Sequence, residues 1–203
     1  MPIESLAACC AVPPEKSYLL LNHGPVTLVT SADGERRNVM AAAWAMPLDF
    51  SPAKVLLVVD KSAYTRELID ASGEFALNLP LRSQAGQVLA VGSCSGRDGN
   101  KFAAAQLTTF AAAQLTTFAA AHIAAPLIAG CAAWLECRVI REPHNERTYD
   151  LLIAEVLAAH ADPALFSDGQ WHFPDTARTT LHYQSGGRFF ATGEAFVVPG
   201  AED

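Results

Sequence analysis

Apolar positions along the chain fall in short β-branched runs punctuated by glycine and proline. Residues 25–31, Pro-Val-Thr-Leu-Val-Thr-Ser, read as a strand that ends at the turn signal Asp33-Gly34, and residues 38–44 return as a second strand. Pro47 and Pro52 bound a predicted loop. Residues 54–60 are almost continuously apolar, which predicts a strand buried on both faces. A helix should follow, with Ser62 and Thr65 as candidate caps, Leu68 and Ile69 on its apolar side and Gly73 as its stop. Residues 75–79 form the next predicted strand, residues 83–91 a short helix, and residues 92–100 a glycine-punctuated loop.

The second half opens on a direct repeat. Residues 102–109 and 110–117 both read Phe-Ala-Ala-Ala-Gln-Leu-Thr-Thr, and residues 118–121 begin a third copy. Units this short and few do not make a solenoid. They read as a local duplication adding about two turns of an alanine-rich helix. After Pro126, residues 132–140 and 149–157 are predicted as two long strands joined by a polar hairpin containing Pro143, His144 and Asn145. Residues 161–180 read as irregular, and residues 181–198 as strand material around a Gly186-Gly187 turn. Strands with one short helix among them, a helical insertion near 102–121 and strands again predict a mainly β, antiparallel, closed or partly closed barrel. The whole of residues 1–203 is read as one domain, with residues 1–22 as an N-terminal arm.

Composition narrows the classes. The 203 residues are 51% hydrophobic and 17% charged, which suits a packed globule rather than a disordered chain. A net charge of −7 argues against a nucleic-acid surface and against a polybasic lipid patch. Residues 102–135 carry no charged side chain, yet alanine drives insertion weakly and Pro126 and Gly130 interrupt the stretch, so no membrane span is expected. Glu4, Pro13 and Pro14 do not fit a signal peptide, which leaves a cytoplasmic location as the expectation. The five cysteines form no disulfide framework: Cys131 and Cys137 would share a strand face too far apart to bridge, and Cys9 and Cys10 read as exposed bystanders in a flexible arm. The six histidines show no ligand spacing with cysteine, so no metal site is expected.

A resemblance adds to this reading. Asn38-Val-Met-Ala-Ala-Ala-Trp44 with Pro47 and Ser51-Pro52, then Lys61-Ser-Ala-Tyr-Thr65, Glu74-Phe-Ala-Leu-Asn78, Ser93-Cys-Ser-Gly-Arg-Asp98 and Lys101-Phe102, resemble the flavin reductase-like family, of which flavoredoxin is a member. The likeness resumes at Pro126-Leu-Ile, Glu136-Cys137, Tyr149-Asp150 and Leu181-His-Tyr183 and covers most of residues 24–190. The family pattern has about one repeat copy fewer between Lys101 and Pro126, so the repeat resembles an insertion into that scaffold. The resemblance implies a Greek-key split β-barrel, a homodimer and FMN held near the subunit interface.

The residue chemistry can be weighed beside it. Lys61, Ser62 and Thr65 stand where a strand gives way to a helix, so hydroxyls, a cation and a helix N-terminus could receive a phosphate; a plain N-cap with a solvated lysine is the bland reading. Ala41, Ala42 and Ala43 are small enough to let a flat ring reach the backbone, with Met40 and Trp44 as walls. The family pattern often has hydroxyl residues among these positions, so alanine leaves backbone contacts there. Asn38 opens this strand and is carried over as a cofactor contact, with Cys94, Ser95, Gly96 and Arg97 on the loop and Lys101 after it. Asn78 either bonds the cofactor or supports a loop, and His182 either faces the site or is structural.

Two flavin functions remain open. One is an NAD(P)H-dependent FMN oxidoreductase, with NADH or NADPH as a transient electron donor; no Gly-x-Gly-x-x-Gly marks a dedicated nicotinamide half. The other is an electron carrier that exchanges electrons with a redox protein partner. A reading from another class is a Cys94 hydrolase, because Gly92-Ser-Cys-Ser-Gly96 has the outline of a nucleophile elbow, which would require a strand before it and a helix after.

Overall fold

Alternation of inward and outward side chains organises the computed structural model, which describes residues 2–102 and 115–199. The elements are β1 (Cys10–Val12), α1 (Tyr18–Leu21), β2 (Thr27–Asp33), β3 (Arg36–Ala42), β4 (Ala45–Phe50), β5 (Ala53–Val58), α2 (Tyr64–Ser72), β6 (Glu74–Leu79) and α3 (Ala85–Gly92). Then come β7 (Thr117–Phe118), β8 (Leu127–Ile128), β9 (Ala133–Ile140), α4 (Pro143–Thr148), β10 (Leu151–Ala161), β11 (Phe166–Ser167), β12 (Gln170–Trp171), β13 (Leu181–Ser185) and β14 (Arg188–Ala191).

The main sheet is antiparallel, in the order β3-β2-β6-β9-β10-β5-β4, with β1 paired to the far end of β10. The chain crosses two intervening strands between β5 and β6, and α2 makes that crossing. The inner face closes on one cluster that includes Leu20, Leu57, Phe75, Leu77 and Leu135. A second cluster lies outside β2, β6 and β9, around Trp134, beneath α3 and the segment from Leu115 to Cys131. Full burial of each such leucine or phenylalanine contributes about 1.5–3 kcal/mol before entropy is counted. Trp134 donates its indole N–H to Ile128 O at 2.8 Å, so its polar atom is satisfied inside the apolar cluster. This mainly β, antiparallel split barrel is the predicted fold.

Several local expectations change. Residues 45–50 are strand β4 rather than loop, because Pro47 sits on an edge strand at a register shift, where a missing N–H breaks no ladder. Strand β5 is fully buried on one face only: Val55 and Leu57 point inward, whereas Lys54, Leu56 and Val58 are half-buried. The polar hairpin after β9 is the short helix α4. Pro143 fits its first turn, and Glu146 Oε1 accepts the Glu142 N–H at 2.7 Å, capping the helix start. The turn Asp168-Gly169, with both φ positive, folds part of the irregular 161–180 stretch into the β11–β12 hairpin.

The N-terminal arm is tied down by the pairing of β1 with β10 and by the buried Leu20 and Leu21. Cys10 is half-buried and its thiol donates to Ala161 O at 3.3 Å, while burial pushes the Cys9 thiol up to about 11. Both therefore differ from exposed bystanders. Cys131 and Cys137 lie in different apolar clusters, since Cys131 precedes β9 and does not share its alternation. The helix expected over 102–121 falls largely on residues 103–114, outside the described residues. Its last part is not helical: Thr117 and Phe118 pair with Ile128 and Leu127, and the Phe118 ring sits edge-on to Trp134 at 5.7 Å. Buried Glu136 fixes the next turn by accepting the Ala121 and His122 N–H groups at 3.1 and 2.7 Å.

Candidate functional site

A cleft of about 430 Å³ opens where β3, the start of α2 and the loop after α3 meet. Its floor is Asn38, Met40 and Ala41 of β3. β3 is an edge strand, so alternate backbone N–H and C=O groups face away from β2 and remain available to a ligand. One wall is Ser62, Ala63, Tyr64 and Thr65. α2 begins there, and the N–H groups of Tyr64 and Thr65 have no acceptor within the helix. Neither Ser62 nor Thr65 caps it: the N-cap is Ala63, the Ser62 N–H donates to Asp60 Oδ1, and the Thr65 hydroxyl accepts from Asn38 Nδ2 at 2.8 Å. That acceptance leaves the Thr65 proton free to donate.

The other wall is the loop Cys94, Ser95, Gly96 and Arg97. Gly96 is required by close approach: a Cβ there would stand 2.6 Å from Asn38 Cγ and from Tyr64 Cδ1. Lys101 closes the back. It is 7% exposed, its ammonium donates to Val91 O at 2.8 Å, and burial lowers its pKa below the ordinary lysine value against the opposing charges of Cys94 and Asp98.

An apolar slot of about 170 Å³ adjoins this cleft. Ala41, Ala42 and Ala43 face Val88 and Leu89 of α3 across it, and Tyr183 and Phe189 of the β13–β14 hairpin stand against its outer side. The two spaces share Ala41, Gly92 and Ser93. A Cβ on Gly92 would lie 3.3 Å from Ala41 Cβ, so small residues set the width of this waist. One side of this adjoining pair is apolar. The other carries a helix N-terminus, hydroxyls and a cation. An anionic ligand with a flat aromatic body fits that polarity.

Of the predicted contacts, Asn38, Met40, Ala41, Ser62, Thr65, Cys94, Ser95, Gly96, Arg97 and Lys101 meet in the cleft, and Ala42 and Ala43 join Ala41 in the slot. Three do not come to the site. Lys61 turns the other way: its ammonium donates to Arg147 O at 2.9 Å and pairs with Asp150 at 3.2 Å. Asn78 is fully buried and committed, donating to Leu28 O and accepting from the Ile128 N–H, both at 2.8 Å. Trp44 is 72% exposed and lines neither space. His182 is structural, with its ring nitrogens 3.0 Å from Gly24 O and 3.2 Å from Thr192 Oγ1. Cys94 follows helix α3 and precedes a loop, and its thiol donates to Ala90 O at 3.4 Å; a nucleophile elbow needs the reverse order of elements. The sequence carries Tyr64 and Tyr183 only as members of the resembling segments and gives no sign that Phe189 joins them at the site, although the Gly186-Gly187 turn marks the hairpin that holds Tyr183 and Phe189.

This split barrel carries a polar cleft beside an apolar slot, and comparison with known proteins gives the family. The model of the flavin reductase like domain matches residues 20–189, and the chain belongs to that family. It is 41% identical over 178 residues to the uncharacterized protein YddH of Escherichia coli K12, covering 86% of this chain and 90% of that one. It is similar, with a TM-score of 0.85 and 42% identity over 94% of this chain and 97% of the other, to an FMN-binding domain of a flavin reductases-like enzyme from Shewanella baltica OS155. The flavoredoxin of Desulfovibrio vulgaris (Miyazaki F) shares the fold, at a TM-score of 0.72 and 23% identity over 88% and 91% of the two chains. Among the described residues no helix is long and apolar enough to cross a membrane.

Proposed function

We propose that the chain binds FMN in the adjoining cleft and slot and acts as an NAD(P)H-dependent flavin oxidoreductase. The observation that carries this reading is the shared lining at Ala41, Gly92 and Ser93, which sets a polar anion cradle directly beside an apolar slot. The phosphate would be received by the N–H groups of Tyr64 and Thr65, the Thr65 hydroxyl, Ser95 and the Lys101 ammonium. The ring would lie along Ala41–Ala43, meeting backbone rather than side-chain donors. When bound, flavin supplies the capacity to take up a hydride and release electrons singly or in pairs. The residues bind it, orient its ring and keep water from its inner face through Val88 and Leu89; no side-chain acid or base is needed for hydride passage.

A second reading is an electron carrier served by a redox protein partner. Tyr183 and Phe189 already stand against the slot, which favours a ring reached at its edge over one stacked with a nicotinamide. The five free cysteines among the described residues support a reducing, cytoplasmic setting. The exposed and half-buried apolar residues on the outward face of β4 and β5, with exposed Trp44 just before β4, support a homodimer.

The test is FMN titration followed by anaerobic reduction. Binding near one equivalent per chain with bleaching by NADH or NADPH supports the oxidoreductase. Bleaching only by a reduced redox protein supports the carrier. A colourless protein that ignores FMN ends both.

A further inference from the structure

We propose that Arg97 is a strap across the cleft that selects a flavin mononucleotide over a flavin dinucleotide. This rests on the flavin reading above and adds a specificity determinant to it. Arg97 belongs to the loop wall, but its guanidinium reaches the opposite wall. Nη1 donates to Ser62 O at 2.8 Å, Nη2 pairs with Glu67 Oε2 at 3.2 Å, and the guanidinium carbon lies 5.5 Å from the centre of the Tyr64 ring. Ser62, Tyr64 and Arg97 all line the cleft, so these contacts join its two sides.

The anchor is itself held. The other oxygen of Glu67 accepts from Arg36 Nη1 at 2.7 Å, and Arg36 is also paired with Asp33 at the β2–β3 turn. The strap is therefore tied to the β2–β3 hairpin through α2. With the ring in the slot, the phosphate reaches the start of α2 and Lys101. A mononucleotide ends there. A dinucleotide carries a second phosphate and an adenosine beyond that point, and these must leave through the strapped mouth. Either the strap opens, losing its ion pair and its ring contact, or the adenosine is refused. A mononucleotide requires neither. The contacts are surface-exposed, so the discrimination is modest.

Calorimetric titration of wild type, Arg97→Ala and Glu67→Gln with FMN and with FAD tests this, with thermal melts confirming that each variant folds. Glu67 lines neither the cleft nor the slot, so Glu67→Gln removes the strap's ion pair while leaving the guanidinium and its contacts to Ser62 O and the Tyr64 ring in place. Wild type is expected to bind FMN roughly tenfold more tightly than FAD, a difference of about 1.4 kcal/mol. Both variants should narrow that ratio toward one through tighter FAD binding. Three results overturn the strap: a wild type without preference, an unchanged ratio in Glu67→Gln, or equal losses of FMN and FAD in Arg97→Ala, which would make Arg97 a phosphate ligand. Wild type that binds neither flavin overturns the underlying reading as well.

Discussion

The side-chain amide of Asn38 donates to the hydroxyl of Thr65 at 2.8 Å, with both residues buried. This one bond joins the floor of the cleft on β3 to its helical wall on α2 and orients the Thr65 proton. Asn38→Ala should cost about 1–3 kcal/mol, because the buried hydroxyl loses its donor. FMN affinity should fall with it. Thr65→Ser keeps the hydroxyl and should bind nearly as wild type, whereas Thr65→Val should not. Urea denaturation and FMN fluorescence quenching measure the two effects, and equal affinity in Thr65→Val and Thr65→Ser would remove Thr65 from the site.

Gly96 presses on the same asparagine from the loop side. A methyl group there meets Asn38 and Tyr64, both held by their own elements, so Gly96→Ala must displace the loop. A loss of about 1–3 kcal/mol is expected, together with weaker FMN binding. Gly99, three residues on, has nothing within 4 Å of an added Cβ, and Gly99→Ala should be silent in both assays.

How much of this is legible in the sequence follows from the range of each signal. Strands such as β2, β9 and β10 declare themselves because runs of apolar and β-branched residues are a local property. The turn at Gly34 and the helix stop at Gly73 are equally local, and both glycines have positive φ. β4 is hidden because its proline is harmless only on an edge, and edge position belongs to the whole sheet. The cleft is legible as a set of segments, but not in the aim of each side chain. Lys61 and Lys101 look interchangeable as phosphate cations; the fold sends one to Asp150 on the far side and buries the other at the back of the cleft. Tyr183 and Phe189 lie too far along the chain for any local pattern to bring them to Ala41.

Lys101 should make FMN binding pH-dependent. Burial lowers its pKa from the ordinary 10.5, so the ammonium loses its proton at a lower pH than an exposed lysine would. A phosphate in the cleft needs the charged form. Affinity should therefore hold at neutral pH and decline as pH rises through the lowered value. A charge-assisted contact of this kind is worth about 1.5–3 kcal/mol, so Lys101→Met should weaken binding roughly tenfold to a hundredfold at pH 7 and flatten the alkaline decline. A decline that persists unchanged in Lys101→Met would assign it to another group.

His23 predicts a loss of stability in acid. Its ring packs edge-on to Trp171 at 5.6 Å and lies 2.8 Å from Thr180 Oγ1, with Nδ1 buried and unpaired. Burial, and then the charge of His182, lower its pKa from 6.5 to about 4. The unfolded chain thus binds a proton at a higher pH than the folded one. The stabilising contribution is complete above pH 6.5 and is lost as pH falls toward 4, by up to about 3 kcal/mol. Urea denaturation of wild type and His23→Gln at neutral and acidic pH checks the slope; parallel curves would place the acid sensitivity elsewhere.

The outward face of the sheet bears on the homodimer. Met46, Leu56, Ile153 and Ile140 are successive cross-strand partners on β4, β5, β10 and β9, forming an apolar row on the side opposite the inner core. Val58 and Leu151 pair in a second row. On the other flank Asp49, Lys54, Glu155, Arg138 and Glu74 are also successive partners, with signs that alternate across five strands. Apolar rows with a charged border have the make-up of an interface core and rim, and a second copy would bury them without any new element. Leu56→Glu puts a charge in the middle of that face and should weaken self-association at least tenfold while the barrel stays folded, since the residue is absent from the inner core. Sedimentation velocity over a concentration series measures it. A wild type that sediments as a monomer at micromolar concentration would remove the homodimer from the proposal, and a Leu56→Glu dimer of undiminished strength would move the interface to another face.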